Sequence, residues 1–124
     1  MVVKRTGVLR TRFTIARLVV GTTNEFEKIY DVHTTSLVHS FKYSFEATEN
    51  SGLQDVRAVW NLNVLRADYE IRYKKSRKEI GRYKDGIVTH RGYWLDVTAG
   101  QDVAELTAIG MVMEYFINKQ KQEN

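Results

Sequence analysis

The stretch DVAELTAIGMVMEYFI, residues 102–117, constrains the fold most, because a helix drawn through it has almost no wet side. At about 100° per residue Thr107, Glu114, Asn118 and Lys121 line up in one narrow polar stripe. Leu106, Ala108, Ile109, Met111, Val112, Met113, Tyr115, Phe116 and Ile117 wrap the remainder. Asp102 reads as the N-cap, Glu105 as its capping-box partner and Gly100 as a break after the preceding strand, so the spacing predicts a helix over about 102–119. From Val103 to Asn118 such a helix is about 24 Å long, short of the roughly 30 Å hydrocarbon core of a bilayer, and Glu114 interrupts it. We therefore expect no transmembrane segment. The narrow stripe is also unlike the broad basic face of an interfacial helix. A helix apolar nearly all round needs cover on several sides, which a strongly curved sheet provides and a flat one does not. The alternative is a helix on one sheet face whose remaining apolar surface meets a second subunit.

Ahead of this helix the hydrophobic period changes to two. Leu37, His39, Phe41, Tyr43 and Phe45 share one face; Val56, Ala58, Trp60, Leu62 and Val64 share another; Ala67, Tyr69, Ile71 and Tyr73 alternate with Asp68, Glu70 and Arg72. FTIARLVV, FEKIYDV, EIGRYK, GIVTH and GYWLDV are shorter strand candidates, and GTTNE, ENSG, KKSRK and KDG read as turns. Short connections suit an antiparallel meander, since parallel neighbours need long crossovers. The expected fold is α+β, mainly β: a single domain over 1–124 with about eight curved antiparallel strands over about 8–97, barrel-like, packed around or over one hydrophobic C-terminal helix.

A chain of 124 residues with 43% hydrophobic and 27% charged residues has the usage of one folded domain, not of a disordered or coiled-coil segment. With no cysteine, disulfides and thiolate metal sites are excluded. The start, MVVKRTGVLRTRF, interleaves its apolar residues with arginine and lacks a signal-peptide run, so a cytoplasmic protein is expected. The net charge of +4 favours phosphate-bearing partners without choosing between nucleic acid and anionic lipid.

The cations are densest in RYKKSRKEIGRYK, residues 72–84, which holds Arg72, Lys74, Lys75, Arg77, Lys78, Arg82 and Lys84 against one acid, Glu79. If KKSRK is a hairpin tip, these charges crowd at one end and their fields add. The competing reading is a solubilising turn that protects a strand edge. Tyr73, Tyr83 and Trp94 are candidate aromatic contacts beside it. Lys4, Arg5, Arg10, Arg12 and Arg17 form a second basic group. Asp31 and His33 would face one side of a strand, too few ligands for a metal, and His39 and His90 add none at metal spacing, so no metal site is expected. Asp96 and Asp102 frame the turn into the helix and read as turn and cap residues. No nucleophile elbow, P-loop, dinucleotide fingerprint or Cys/His pair occurs, so we expect no catalytic residue, no cofactor and no enzyme.

Antiparallel strands ending in GYWLDV and followed by DVAELTAIGMVMEYFI resemble the end of the tubby-like superfamily, in particular its phospholipid scramblase and LURP-one-related branches, and YEIRYKKSRKEIGRYKDG resembles their strand-turn-strand units. The resemblance covers about residues 69–117. It implies a barrel enclosing a hydrophobic C-terminal helix and a basic surface meeting phosphoinositide or other anionic lipid headgroups. The chain is shorter than the family's full barrel and lacks its cysteine-rich and proline-rich segments. No acidic calcium-binding run precedes the helix, so calcium dependence and scrambling do not carry over.

The expected function is a non-enzymatic module that binds anionic phospholipid headgroups through the basic hairpin, cytoplasmic and peripheral to the membrane. One alternative is a nucleic-acid binder that stacks bases on Tyr73, Tyr83 or Trp94. The other is a homodimeric interaction protein, in which the apolar helix or an open sheet edge meets a second copy.

Overall fold

The computed structural model describes residues 1–6, 12–33, 42–49, 51–61, 66–86 and 92–123. Its strands are β1 (Val2–Thr6), β2 (Arg12–Leu18), β3 (Phe26–His33), β4 (Lys42–Ala47), β5 (Val56–Trp60), β6 (Arg66–Tyr73), β7 (Glu79–Gly86) and β8 (Trp94–Val97), followed by helix α1 (Val103–Glu123). All eight strands form one sheet in chain order, each antiparallel to the next. The sheet curls into a half-barrel with α1 against its concave face. The helix packs on β1 and β2 near one edge and on β7 and β8 near the other. Among the described residues no ladder joins β1 to β8, so the helix, and not a closing strand, bridges the two edges.

Bulges help produce this curvature, because an extra residue on one strand bends it and increases its twist. One lies opposite Ile15/Ala16 and turns both Ile29 and Tyr30 of β3 inward; the other, opposite Ile71/Arg72, does the same with Ile80 and Gly81 of β7. Elsewhere alternation decides what is buried: Tyr43 and Phe45, Val56 and Ala58, and Tyr69 and Ile71 face the helix. They meet Leu106, Ile109, Val112, Met113, Phe116 and Ile117, all nearly or fully buried. Each large apolar side chain so covered contributes about 1.5–3 kcal/mol. Two glycines let the helix approach closely. A Cβ on Gly81 would lie 2.8 Å from the Asp96 carbonyl oxygen and 3.1 Å from Leu106 Cδ1, and one on Gly110 would lie 3.1 Å from Tyr93 Cε2.

The expected strand count holds, but the membership differs. β1 begins at Val2, ahead of the expected start near residue 8, and its register with β2 runs from Val2 opposite Ala16 to Thr6 opposite Arg12. Most of GIVTH lies outside the described residues, as do residues 37–41 and 62–64 of the two long alternating runs. KDG is no turn: Lys84, Asp85 and Gly86 continue β7, and Asp85 is buried. The helix extends to Glu123. Met111, expected in the apolar wrap, is 51% exposed, on a stripe shared with Val103 and Thr107 that no strand covers among the described residues. Only half of the capping box forms. Asp102 Oδ1 accepts the Glu105 amide at 3.1 Å, while the Glu105 carboxylate, itself buried, accepts a short hydrogen bond from the Tyr30 hydroxyl. No helix among the described residues is long and apolar enough to cross a membrane.

Candidate functional site

Strands β6 and β7 are mirror images about the turn at Ser76, a register that places Glu70 opposite Arg82 and Asp68 opposite Lys84. These four side chains alternate with the inward Tyr69, Ile71 and Tyr83 and so project from the convex face. Arg82 is the hub. Its Nη2 lies 2.9 Å from Glu70 Oε1 and 3.6 Å from Glu79 Oε1, and its Nε lies 3.7 Å from Asp68 Oδ1. Arg72 binds Glu70 Oε2 at 2.8 Å, and Lys84 binds Asp96 at 3.1 Å across to β8. Three of the seven expected binding cations are therefore neutralised by acids on the sheet. Asp68 Oδ1 and Arg82 Nε are buried without a hydrogen-bond partner among the described residues, so each depends on the other's charge. A cleft of about 320 Å³ between β7 and β8, lined by Arg82, Lys84, Glu79 and Asp96, presents both signs of charge.

The other four cations, Lys74, Lys75, Arg77 and Lys78, are exposed at the turn, and among the described residues none enters an ion pair. The turn is firmly built. The Arg77 amide donates to the Tyr73 carbonyl at 2.9 Å, the Tyr73 amide to the Lys78 carbonyl at 3.0 Å, and Arg72 Nη1 to the Arg77 carbonyl at 2.8 Å. Arg77 has φ 64°, in the left-handed region, and it is the non-glycine residue with positive φ among those described. For a β-carbon that conformation costs about 1–2 kcal/mol, so glycine would be the undemanding choice there. The sequence keeps a guanidinium instead.

The expected aromatic contacts do not gather around this tip. Tyr83 is fully buried and stacked on Tyr93 at 4.9 Å, so it belongs to the core and offers no surface. Tyr73 turns inward and donates to Gln101 Oε1 at 3.0 Å. Trp94 is 68% exposed, but it sits opposite Lys84. Six residues of strand separate Lys84 from Lys78, about 20 Å. Tyr30, Tyr69, Tyr73, Tyr83 and Tyr93 all lose protons less readily than a free tyrosine. Burial is the first cause in each case, reinforced by Glu105 at Tyr30 and Tyr73, by Asp85 and Glu114 at Tyr83, and by Glu114 at Tyr93. At Tyr69 a hydrogen bond with Tyr43 partly offsets it.

Of the second basic group, Arg17 is held by Glu27 and donates to the Ser51 carbonyl at 3.1 Å; the side chains of Lys4, Arg5, Arg10 and Arg12 lie outside the described residues, as do those of His33, His39 and His90. Asp31 pairs with Lys28 at 3.1 Å. Sequence reasoning missed the role of Asp68 and Glu70 as partners of the hairpin cations. The signal was present: Glu70 and Arg82 stand six residues either side of Ser76, and Asp68 and Lys84 stand eight.

No family model, curated protein or solved structure matches this chain.

Proposed function

We propose that this protein is a non-enzymatic binding module of tubby-like kind that meets anionic phospholipid headgroups through the β6–β7 turn, working at the cytoplasmic surface of a membrane as a peripheral protein. The observation that supports this reading is the set of four exposed cations, Lys74, Lys75, Arg77 and Lys78, in no ion pair among the described residues and gathered in one tight turn that holds Arg77 in a left-handed backbone. A residue kept in a costly conformation where glycine would fit freely is evidence that its side chain is wanted. Arg72, Arg82 and Lys84 stand outside the proposed contact, because each already has a carboxylate. A nucleic-acid binder would place stacking platforms beside the phosphate contacts. Here Tyr83 is buried, Tyr73 points inward and Trp94 is distant, which favours a partner recognised by charge over one recognised by its bases.

Co-sedimentation with neutral and anionic vesicles at low and moderate salt tests the proposal. Each cation near an anionic surface contributes about 1 kcal/mol, so changing Lys74, Lys75, Arg77 and Lys78 to Ser should weaken binding about a thousandfold. Its urea midpoint should match that of the wild-type protein, since surface changes outside ion pairs shift stability by less than about 0.5 kcal/mol. Absence of wild-type binding to anionic vesicles at low salt would sink the reading. Tighter binding to single-stranded DNA than to those vesicles would transfer the turn to nucleic acid.

A further inference from the structure

The meander brings the β2–β3, β4–β5 and β6–β7 turns and the start of α1 to one end of the half-barrel, because each follows an even-numbered strand. At that end the β2–β3 hairpin is as apolar as the β6–β7 turn is basic. Leu18 and Phe26 sit directly opposite one another in the ladder, 44% and 50% exposed, and Val20 beyond them is 98% exposed. The exposure of Val20 is built in. The Thr22 amide and hydroxyl both donate to the Val19 carbonyl, at 3.1 and 2.7 Å, and Gly21 takes φ 86°, which makes Val19–Thr22 a type II turn with Val20 at its outer corner. The Val19 amide closes the hairpin on the Glu25 carbonyl at 2.8 Å. A stiff turn thus presents a branched apolar side chain to water, with an aromatic and a leucine below it.

We infer that the β2–β3 tip, Leu18, Val20 and Phe26, is a second membrane contact that enters the interfacial region of the anionic bilayer bound by the basic turn. This rests on the headgroup reading above. The two tips are four strand spacings apart, about 19 Å along the curved sheet, so they meet one planar surface as separate points of attachment. Lysine and arginine meet phosphates, and a short apolar tip enters the headgroup and acyl boundary, the division of labour that gives peripheral proteins stable attachment from two weak signals. The acids of this end divide into two sets. Glu27 is held by Arg17 and Glu79 by Arg82, whereas Glu25, Glu49, Asp55 and Asp102 have no cation partner among the described residues. Asp55 accepts the Ala47 amide at 2.8 Å and Asp102 the Glu105 amide, and neither bond cancels a charge. The four turn cations are gathered in one turn, while those acids are spread over the other connections of this end, and the apolar tip adds an attraction that salt does not screen.

The absence of cysteine makes the test direct, since a Val20→Cys variant carries a polarity-sensitive fluorophore at that position alone. The probe is read on phosphatidylcholine vesicles with and without phosphatidylserine, with Asn61→Cys, exposed after β5 at the opposite end of the half-barrel, as the control. Blue-shifted emission at Val20 on the anionic vesicles, quenched by nitroxide lipid and absent at Asn61, is the expected result. Val20→Ser should weaken vesicle binding about tenfold without changing its salt dependence. A protein that sediments with the vesicles while the Val20 probe stays in water would overturn the apolar contact and leave the basic turn standing. If nothing sediments, the headgroup reading itself fails, and this inference with it. A blue shift that needs no lipid and grows with protein concentration would assign the tip to a second copy of the chain and overturn its role at a membrane.

Discussion

Arg82 and Lys78 lie four residues apart on one hairpin, yet Arg82 is wedged among Asp68, Glu70 and Glu79 while Lys78 stands exposed at the turn. In sequence both belong to one basic run. Their environments differ because the strands of the hairpin offer cross-strand neighbours and its tip offers none. On the shaft a cation is within reach of the residues opposite it, and the register supplies carboxylates there. At the tip the same kind of charge remains available. A count of positive residues therefore overstates a binding surface, and the ladder register corrects the count.

Removing the hub of the shaft should have the largest effect. Arg82→Ala leaves Asp68, 8% exposed, without the charge that compensates it, and should cost roughly 2–3 kcal/mol in urea unfolding. A cost as small as that of a tip lysine would erase the distinction between the two regions. Alkaline pH probes the inner side of the same shaft. Burial holds the Tyr83 proton above the ordinary tyrosine range, so the unfolded chain releases it first as pH rises. The stabilisation is complete below about pH 10 and is lost above it, at about 1.4 kcal/mol per pH unit for this one group. Tyr83→Phe should reduce the slope of unfolding free energy between pH 10 and 11 by about one proton; an unchanged slope would mean that Tyr83 is open to water. Arg77→Gly sharpens the comparison from the tip. Releasing the left-handed arginine should raise stability by roughly 1 kcal/mol while weakening attachment to anionic vesicles. A variant that gains no stability would remove the argument from conformational cost.

Much of this was legible in the residues. Alternation marked Tyr43, Phe45, Val56, Ala58, Tyr69 and Ile71 as inward, and all six are buried. The buried state of Tyr83 was legible too, because it stands as far after Ser76 as the inward Tyr69 stands before it. Other features left no local trace. β1 is a short run with interleaved cations, and only its pairing with β2 makes it a strand. KDG has the composition of a turn, but the ladder with β6 carries the chain straight through it, with Ala67 opposite Asp85. Glu105 reads as a capping residue on spacing, and its carboxylate goes instead to Tyr30, 75 residues earlier. A local pattern states which side of an element prefers water; it does not state which distant group will be waiting there.

Period and polarity, which are local properties of the chain, already imply a curved antiparallel sheet of short strands, a basic turn and one C-terminal helix too apolar to remain uncovered. Only in three dimensions does the helix bridge both edges of a half-barrel, do carboxylates hold Arg72, Arg82 and Lys84 while the turn cations enter no ion pair among the described residues, and do an apolar tip and a basic tip share one end. Those outcomes depend on curvature and strand order, which bring together residues far apart in the chain. The free energy of such encounters is a property of the assembled pair and is carried by neither partner alone.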